Sequence, residues 1–425
     1  MSSARADMPR VLAISHNVMG GSTGMGKTLA NMLRFIPREN LAQLYFHSEV
    51  PTQDACESYY RITDSEMLRS IGRMRATGTI FGPDDVRDDA FSRVDSGLEA
   101  KAYQLGRKRT SFVYALRNSL WRLGCWDTPE LDEWLRSFAP DVIFFAAGDY
   151  SFAYRIVYAI STRLDIPVVM WCADDFYVGR SLRGLVYRDL MRWVKRLDNK
   201  LASIVTISDK MAQDYARLFR QPISVMHIAA EENLDALPFD QRRGIAYIGS
   251  LGVGRLKPLL ELAHEVHLAN VKGCEAIDVY TGDKNEKTLK SLLAEPGVRF
   301  HGQINATEVC QILASVRYVL HVESFEQCYI ERTRYSLSTK IGESLASGAC
   351  LVAYGPTNIA SIEYLASNSA GFIINSPQEI HKILQGKQID IQCGIERSLS
   401  LAREQHDAVK NDEQLARVLR GACTD

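Results

Sequence analysis

Short apolar runs alternate along this chain with segments of helical periodicity, the pattern of parallel α/β architecture. The first series opens with the run Val11–Ser15 (VLAIS), a Gly-rich loop and a helix near 27–33. It resumes with a strand at 142–145 (VIFF), a helix near 152–164 and a strand at 167–172 (PVVMWC). A strand at 203–207 (SIVTI) follows, then a helix from about 210 to 219 and a strand at 223–227; Ser208 and Asp209 stand where an N-cap belongs.

Between 229 and 243 (AAEENLDALPFDQRR) the periodicity stops, which predicts a linker. A second series begins at 244–249 (GIAYIG), with a helix over 259–270 and strands at 276–280, 298–301 and 318–321. Residues 338–346 read as helix, and 350–353 and 371–374 as strands. The pattern predicts two α/β domains: residues 1–235, and residues 244–394 followed by helical residues 395–425. The segment 51–129 breaks the alternation. It sets acids (Asp84, Asp85, Asp88, Asp89, Asp95, Glu99) directly before bases (Lys101, Arg107, Lys108, Arg109) and is read as a helical insertion in the first domain.

Composition narrows the classes. The 425 residues carry 50 Lys+Arg against 51 Asp+Glu, so no general excess of positive charge favours nucleic acid as a partner. Hydrophobic content of 46% suits a packed core and excludes a disordered chain. The longest apolar runs, 142–147 and 166–173, fall far short of the roughly 20 residues a membrane-spanning helix needs. Nine Cys without a C-x-x-C pair predict reduced thiols in a cytoplasmic protein, and no metal-ligand cluster is visible.

Residues 21–28 read G-S-T-G-M-G-K-T, a formal match to a P-loop, in which Lys27 would reach phosphates and Thr28 magnesium. Asp174 and Asp175, at the end of VVMWCADD, would complete an ATP- or GTP-dependent kinase or hydrolase. Against this, five residues (16–20) separate the apolar run from Gly21, whereas a P-loop follows its strand closely. The favoured reading is a Gly-rich turn at Gly20 and Gly21 that brings backbone close to a ligand cleft without a magnesium site.

Four segments of the second half belong together: GIAYIG with the loop SLGVGRLK; GVRFHGQINATEVCQILASVRYVLHVES; SLSTKIGESLASGACLVAYG; and IEYLASNSAGFIIN. In this order they resemble the donor-binding domain of GT-B glycosyltransferases, particularly retaining family 4 enzymes. The first half is similar too, through its G-G-x-x-G loop and the segment SIVTISDK. The resemblance implies two Rossmann-like domains facing a central cleft, with the first on the acceptor side and the last helix packing back onto it. It implies transfer of a sugar from a nucleotide diphosphate-sugar to a glycan or lipid-linked acceptor in surface polysaccharide synthesis, with retention, without a metal and without a cofactor beyond the donor.

Within that resemblance, Arg255 and Lys257 are the candidates to grip the diphosphate, although Ser250 stands where the family commonly has Arg. Ser338, Thr339 and Lys340, at a helix start, would supply N–H groups and a positive charge, and Glu343 resembles the glutamate that binds the ribose hydroxyls. An exposed i,i+3 pair between Lys340 and Glu343 is the structural alternative. The glutamate facing the donor sugar is left open among Glu323, Glu326 and Glu331. Asp174 and Asp175 are the catalytic candidates, orienting an acceptor hydroxyl, with helix capping as the alternative. A non-catalytic protein that binds nucleotide-sugar or glycan is the third function kept open.

Two basic amphipathic stretches add a membrane hypothesis. Residues 180–200 hold seven Arg/Lys interleaved with Leu185, Val186, Leu190, Trp193, Val194 and Leu197; residues 106–124 hold five, with Phe112, Leu116, Leu120 and Trp121. Such helices can lie on an anionic membrane surface, or they can simply be solvated.

Overall fold

The computed structural model describes residues 8–424 except 22, 53, 72–76, 83–84, 86–110, 180–181, 231–235 and 387, with backbone alone at 388 and 389. The chain divides into two units: the first holds residues up to 206, 212–225 and 412–425, and the second holds 207–211 and 226–411. One change of unit falls at 225, four residues before the polar stretch 229–243 begins. Residues 395–411 stay with the second unit, because the helical tail is two helices, Gln388–Gln405 and Ala408–Ala422, rather than one.

In the first unit β1 (Val11–Ser15), β2 (Leu41–Tyr45), β3 (Ser58–Arg61), β4 (Thr79–Phe81), β5 (Val142–Ala146), β6 (Val168–Cys172), β7 (Leu201–Thr206) and β8 (Ile223–Val225) form one sheet. Its order is β4-β3-β2-β1-β5-β6-β7-β8, parallel except for β4 against β3. The apolar runs are strands because both faces are covered: β1, β5 and β6 are buried at every position. The segment 51–129 is not purely helical. Tyr59 and Tyr60 bury into the sheet from β3, and β4 pairs with β3 before the helix Ser111–Leu123. Most of its acidic stretch and the bases from Lys101 to Arg109 lie outside the described residues.

The second unit is a six-stranded parallel sheet of β9 (Arg243–Ile248), β10 (Ile277–Tyr280), β11 (Val298–Gly302), β12 (Val316–Val322), β13 (Cys350–Tyr354) and β14 (Phe372–Ile374), in the order β11-β10-β9-β12-β13-β14. Strand alternation sends Tyr318, Leu320 and Val322 to one face, against Leu259, Leu262 and Val266 of the helix Leu256–Ala269. Val319, Leu351 and Ala353 go to the other, against Val309, Leu313, Ile341 and Leu345. The chain winds from β9 to β10 and β11 on one side, then crosses to β12 on the other, so β9 and β12 flank a topological switch point. In open parallel sheets, that is where ligands bind.

Candidate functional site

A cavity of about 260 Å³ opens at the carboxyl ends of β9 and β12. Its walls include Gly249 and Ser250 after β9, His321 near the end of β12, Arg255, and Ser338, Thr339, Lys340 and Glu343. Each element has a local reason to present these groups. The helix Thr339–Ala346 starts where the Ser338 hydroxyl accepts from the Lys340 N–H at 3.4 Å, which leaves its first turn beside the cavity.

The loop after β9 is tied down by Tyr247, whose hydroxyl donates to the Ser250 carbonyl at 2.7 Å. It then passes through two left-handed residues, Val253 (φ 52°) and Gly254 (φ 76°). A Cβ at Gly254 would lie 2.3 Å from the Tyr329 ring, so glycine is required there. This passage delivers Arg255 to the cavity wall.

The charges are paired. Arg255 faces Glu323 with Nη2–Oε1 at 2.8 Å and Nε–Oε2 at 3.3 Å, and Lys340 Nζ lies 2.8 Å from Glu343 Oε2. Glu323 is 1% exposed, so of the three glutamates left open upstream it is the one bound into the interior; Glu326 and Glu331 are exposed. His321 Nε2 is 3.4 Å from Glu323 Oε1 and 3.0 Å from Ser361 Oγ, and burial lowers its pKa to about 4, so it is neutral. Lys257 is exposed on the helix Leu256–Ala269 and does not line the cavity. Five predicted residues thus meet here. Glu323 as the partner of Arg255 was not legible, since 68 positions separate the two in sequence.

The corresponding switch point of the first sheet lies between β1 and β5. His16, just past β1, packs edge-on against His47 (5.7 Å between ring centroids) and at a tilt against Tyr150 (5.7 Å). Asp149 accepts from the Tyr114 hydroxyl. Past β6, Asp174 is exposed, whereas Asp175 organises its own loop. It accepts from the N–H groups of Tyr177 (3.0 Å), Val178 (3.0 Å) and Gly179 (2.5 Å) and from the Tyr215 hydroxyl (3.0 Å).

Among the described residues of the P-loop-like segment, backbone and capping groups are taken up within the loop and its helix. The helix Gly24–Leu33 begins three residues before Lys27, and Thr23 caps it by accepting from the Gly26 N–H. The Gly20 and Gly21 N–H groups donate to the carbonyls of Gly26 (3.1 Å) and Val18 (3.4 Å), and the Thr28 hydroxyl donates to the Gly24 carbonyl (3.0 Å). Gly21 and Gly26 serve packing: a Cβ on Gly21 would lie 2.7 Å from Val18 Cγ1, and one on Gly26 would lie 2.3 Å from the Val18 carbonyl oxygen.

The sequence profile of Glycosyltransferase Family 4 matches residues 80–229, which takes in the later part of the segment 51–129 that breaks the alternation. No curated protein sequence matches the chain. Among solved structures it is similar to HepE of Anabaena in complex with UDP, at 13% identity and TM-score 0.63, over 96% of this chain and 99% of that one. It is also similar to the UDP-forming α,α-trehalose-phosphate synthase of Burkholderia xenovorans, at 12% identity and TM-score 0.60, over 97% and 100% of the two chains. A third similar structure is WaaG, a glycosyltransferase involved in lipopolysaccharide biosynthesis, at 13% identity and TM-score 0.56, over 96% and 99%. With its two parallel-sheet domains in this order, the chain has the fold of GT-B glycosyltransferases.

Proposed function

We propose that this protein transfers a sugar from a nucleotide diphosphate-sugar to a glycan or lipid-linked acceptor, with retention and without a metal. The observation that carries the reading is the cavity at the β9–β12 switch point, where Arg255, Lys340 and the start of the helix Thr339–Ala346 converge. Cations and helix N–H groups directed at one spot stabilise the charge that develops on a departing diphosphate. Glu343 supplies the acceptor oxygens for ribose hydroxyls, exchanging its contact with Lys340 for the ligand. Asp174, exposed past β6, and Asp175, which also holds its own loop, are the candidates in the first unit to orient an acceptor hydroxyl. UDP-sugars are the first donors to try, since HepE was solved with UDP and with UDP-glucose.

Thermal-shift screening against UDP-, GDP- and TDP-sugars and against ATP–magnesium tests the binding. Stabilisation by a nucleotide-sugar is expected, and stabilisation by ATP–magnesium alone would overturn the reading. Glu343→Ala should weaken nucleotide-sugar binding about tenfold while changing stability by less than ~0.5 kcal/mol, because its pair with Lys340 is solvent-exposed. Binding without transfer to any acceptor would leave a non-catalytic binding protein. The anomeric configuration of the product decides retention, and undiminished turnover in chelator decides metal independence.

The acceptor proposal extends to surface polysaccharide assembly at the inner face of a membrane. Among the described residues no helix is long and apolar enough to cross one. The helices Ser111–Leu123 and Gly184–Leu197 pack together and leave Phe112, Leu116 and Leu185 exposed, with Arg122, Arg183, Arg188, Arg192, Lys195 and Arg196 also at the surface. Apolar side chains set among cations suit an anionic lipid surface. Co-sedimentation with phosphatidylglycerol vesicles at low salt is expected, with loss on Leu185→Ser. Equal behaviour with and without vesicles would remove the membrane from the proposal.

A further inference from the structure

The cations of the second unit's cavity come with their counter-charges attached. Lys340 has Glu343, on the exposed side, and Arg255 has Glu323, on the buried side. The two pairs differ in freedom. Lys340 and Glu343 are each more than a third exposed, so a ligand can part them. Glu323 is fixed: its N–H donates to the Tyr354 carbonyl at 2.9 Å, and a Cβ at Gly355 would lie 2.9 Å from the Glu323 Cβ. Its carboxylate meets the guanidinium through both oxygens, which sets the plane of Arg255 as well as its position. The other basic side chain within reach, His321, is held neutral by burial, so Arg255 is the charge that balances Glu323.

We infer that Glu323 is the positioning counter-ion of Arg255: it holds the guanidinium against the cavity and cancels part of its charge, so that a nucleoside diphosphate is bound less tightly than the bare cation would bind it. The inference rests on the donor-site reading of the cavity. Its chemical sense lies at the end of the cycle. Once the sugar has been transferred, a nucleoside diphosphate remains, carrying more charge than it did as a sugar ester. A partly buried, uncompensated arginine would hold that product and slow its release.

Titration calorimetry with UDP, GDP and TDP on the wild-type protein and on Glu323→Gln tests this. Glutamine keeps the size of the side chain and one oxygen acceptor but removes the charge, leaving Arg255 in need of an anion. The expected result is at least about tenfold tighter binding of the preferred diphosphate by Glu323→Gln. Its melting temperature should be lower than wild type without ligand, and the gain on adding that ligand larger. Glu323→Asp, which restores the charge, should return the affinity toward wild type. A purely structural role would lower stability and leave affinity unchanged or weaker, and that result overturns the inference.

Should Glu323→Gln not fold, the Arg255 Nε–H resonance of the wild-type protein, assigned with Arg255→Lys, provides the second measurement. It is expected to shift on adding UDP, and a resonance that does not move overturns the proposal. Failure of the wild-type protein to bind any of the three diphosphates would overturn the donor-site reading and this inference with it. Binding by wild type without tightening in Glu323→Gln would overturn the inference alone.

Discussion

Single residues separate groups that serve chemistry from groups that serve architecture, and Arg242 is the clearest architectural case. It is 2% exposed and has no carboxylate partner among the described residues. Its guanidinium donates to the carbonyls of Leu237 (2.6 Å), Leu313 (3.2 Å), Val316 (3.4 Å) and Ser347 (2.9 Å). Leu313, Val316 and Ser347 lie at the ends of the helices Ala306–Ser315 and Thr339–Ala346, where carbonyls lose their helical donors and the helix dipole is negative. Arg242→Met should therefore cost about 3 kcal/mol, read as a lower urea midpoint, with nucleotide-sugar affinity unchanged in the fraction that remains folded. An unaltered midpoint would mean that water replaces the guanidinium. Nothing in PFDQRR distinguishes Arg242 from its neighbour Arg243, because three of its four acceptors come from two distant places in the chain. The same limit applies to Asp174 and Asp175, adjacent acids at a strand end, where sequence does not show that Asp175 accepts from three backbone N–H groups of its own loop.

Elements were legible where apolar runs were continuous and obscure where a polar residue interrupted them. β1, β5, β6 and β13 are buried throughout and read directly from sequence. β2 was missed because Gln43 stands in the middle of LAQLY. That glutamine is fully buried, accepts from the Met19 N–H at 2.9 Å, and donates to Ser15 Oγ (2.7 Å) and the Asn17 carbonyl (3.0 Å). It thus shapes the loop that carries Gly20 and Gly21, so the residue that hid the strand also builds the turn. The helix that follows allows the P-loop reading to be tested by substitution. Lys27 is exposed, so Lys27→Ala should leave stability within ~0.5 kcal/mol of wild type and leave sugar transfer intact. Gly26→Ala drives a methyl group into the Val18 carbonyl and should cost at least ~2 kcal/mol. The opposite ranking, with activity lost in Lys27→Ala at native stability, would restore a phosphate-binding role to the loop.

Across the whole molecule, the two-domain order was readable because each sheet repeats the same run-and-helix alternation, but the points where the chain changes unit were not. Residues 207–211 (ISDKM) continue directly from β7 and carry no compositional break, yet they belong to the second unit. There Ser208 donates to the Tyr335 carbonyl at 2.8 Å, and Ile207 offers its carbonyl to His227 Nδ1 at 3.1 Å. His227 stacks at 5.3 Å on His406, which contacts the Ile228 carbonyl (2.8 Å) and the Tyr364 hydroxyl (3.0 Å). Burial lowers the pKa of His406 to about 4, as it does for His321, and also lowers that of His227. All three belong to the second unit, whereas in the first unit burial lowers His47.

The sign follows from linkage. The unfolded chain takes up protons at His321 and His406 once the pH falls below about 6.5, while the folded protein does not until about 4, so stability declines across that interval. At pH 5.5 each of the two histidines near 4 should have lost about 1.4 kcal/mol relative to pH 7.5, so the second unit should weaken by about 3 kcal/mol before most carboxylates titrate. Hydrogen exchange at the two pH values, corrected for intrinsic rates, should show amides of β9, β12 and β13 losing more protection than those of β1, β5 and β6. Equal losses in both units would show that these histidines do not govern the acid response. In His406→Gln, which keeps a polar group but cannot take up a proton, about half of the difference should disappear.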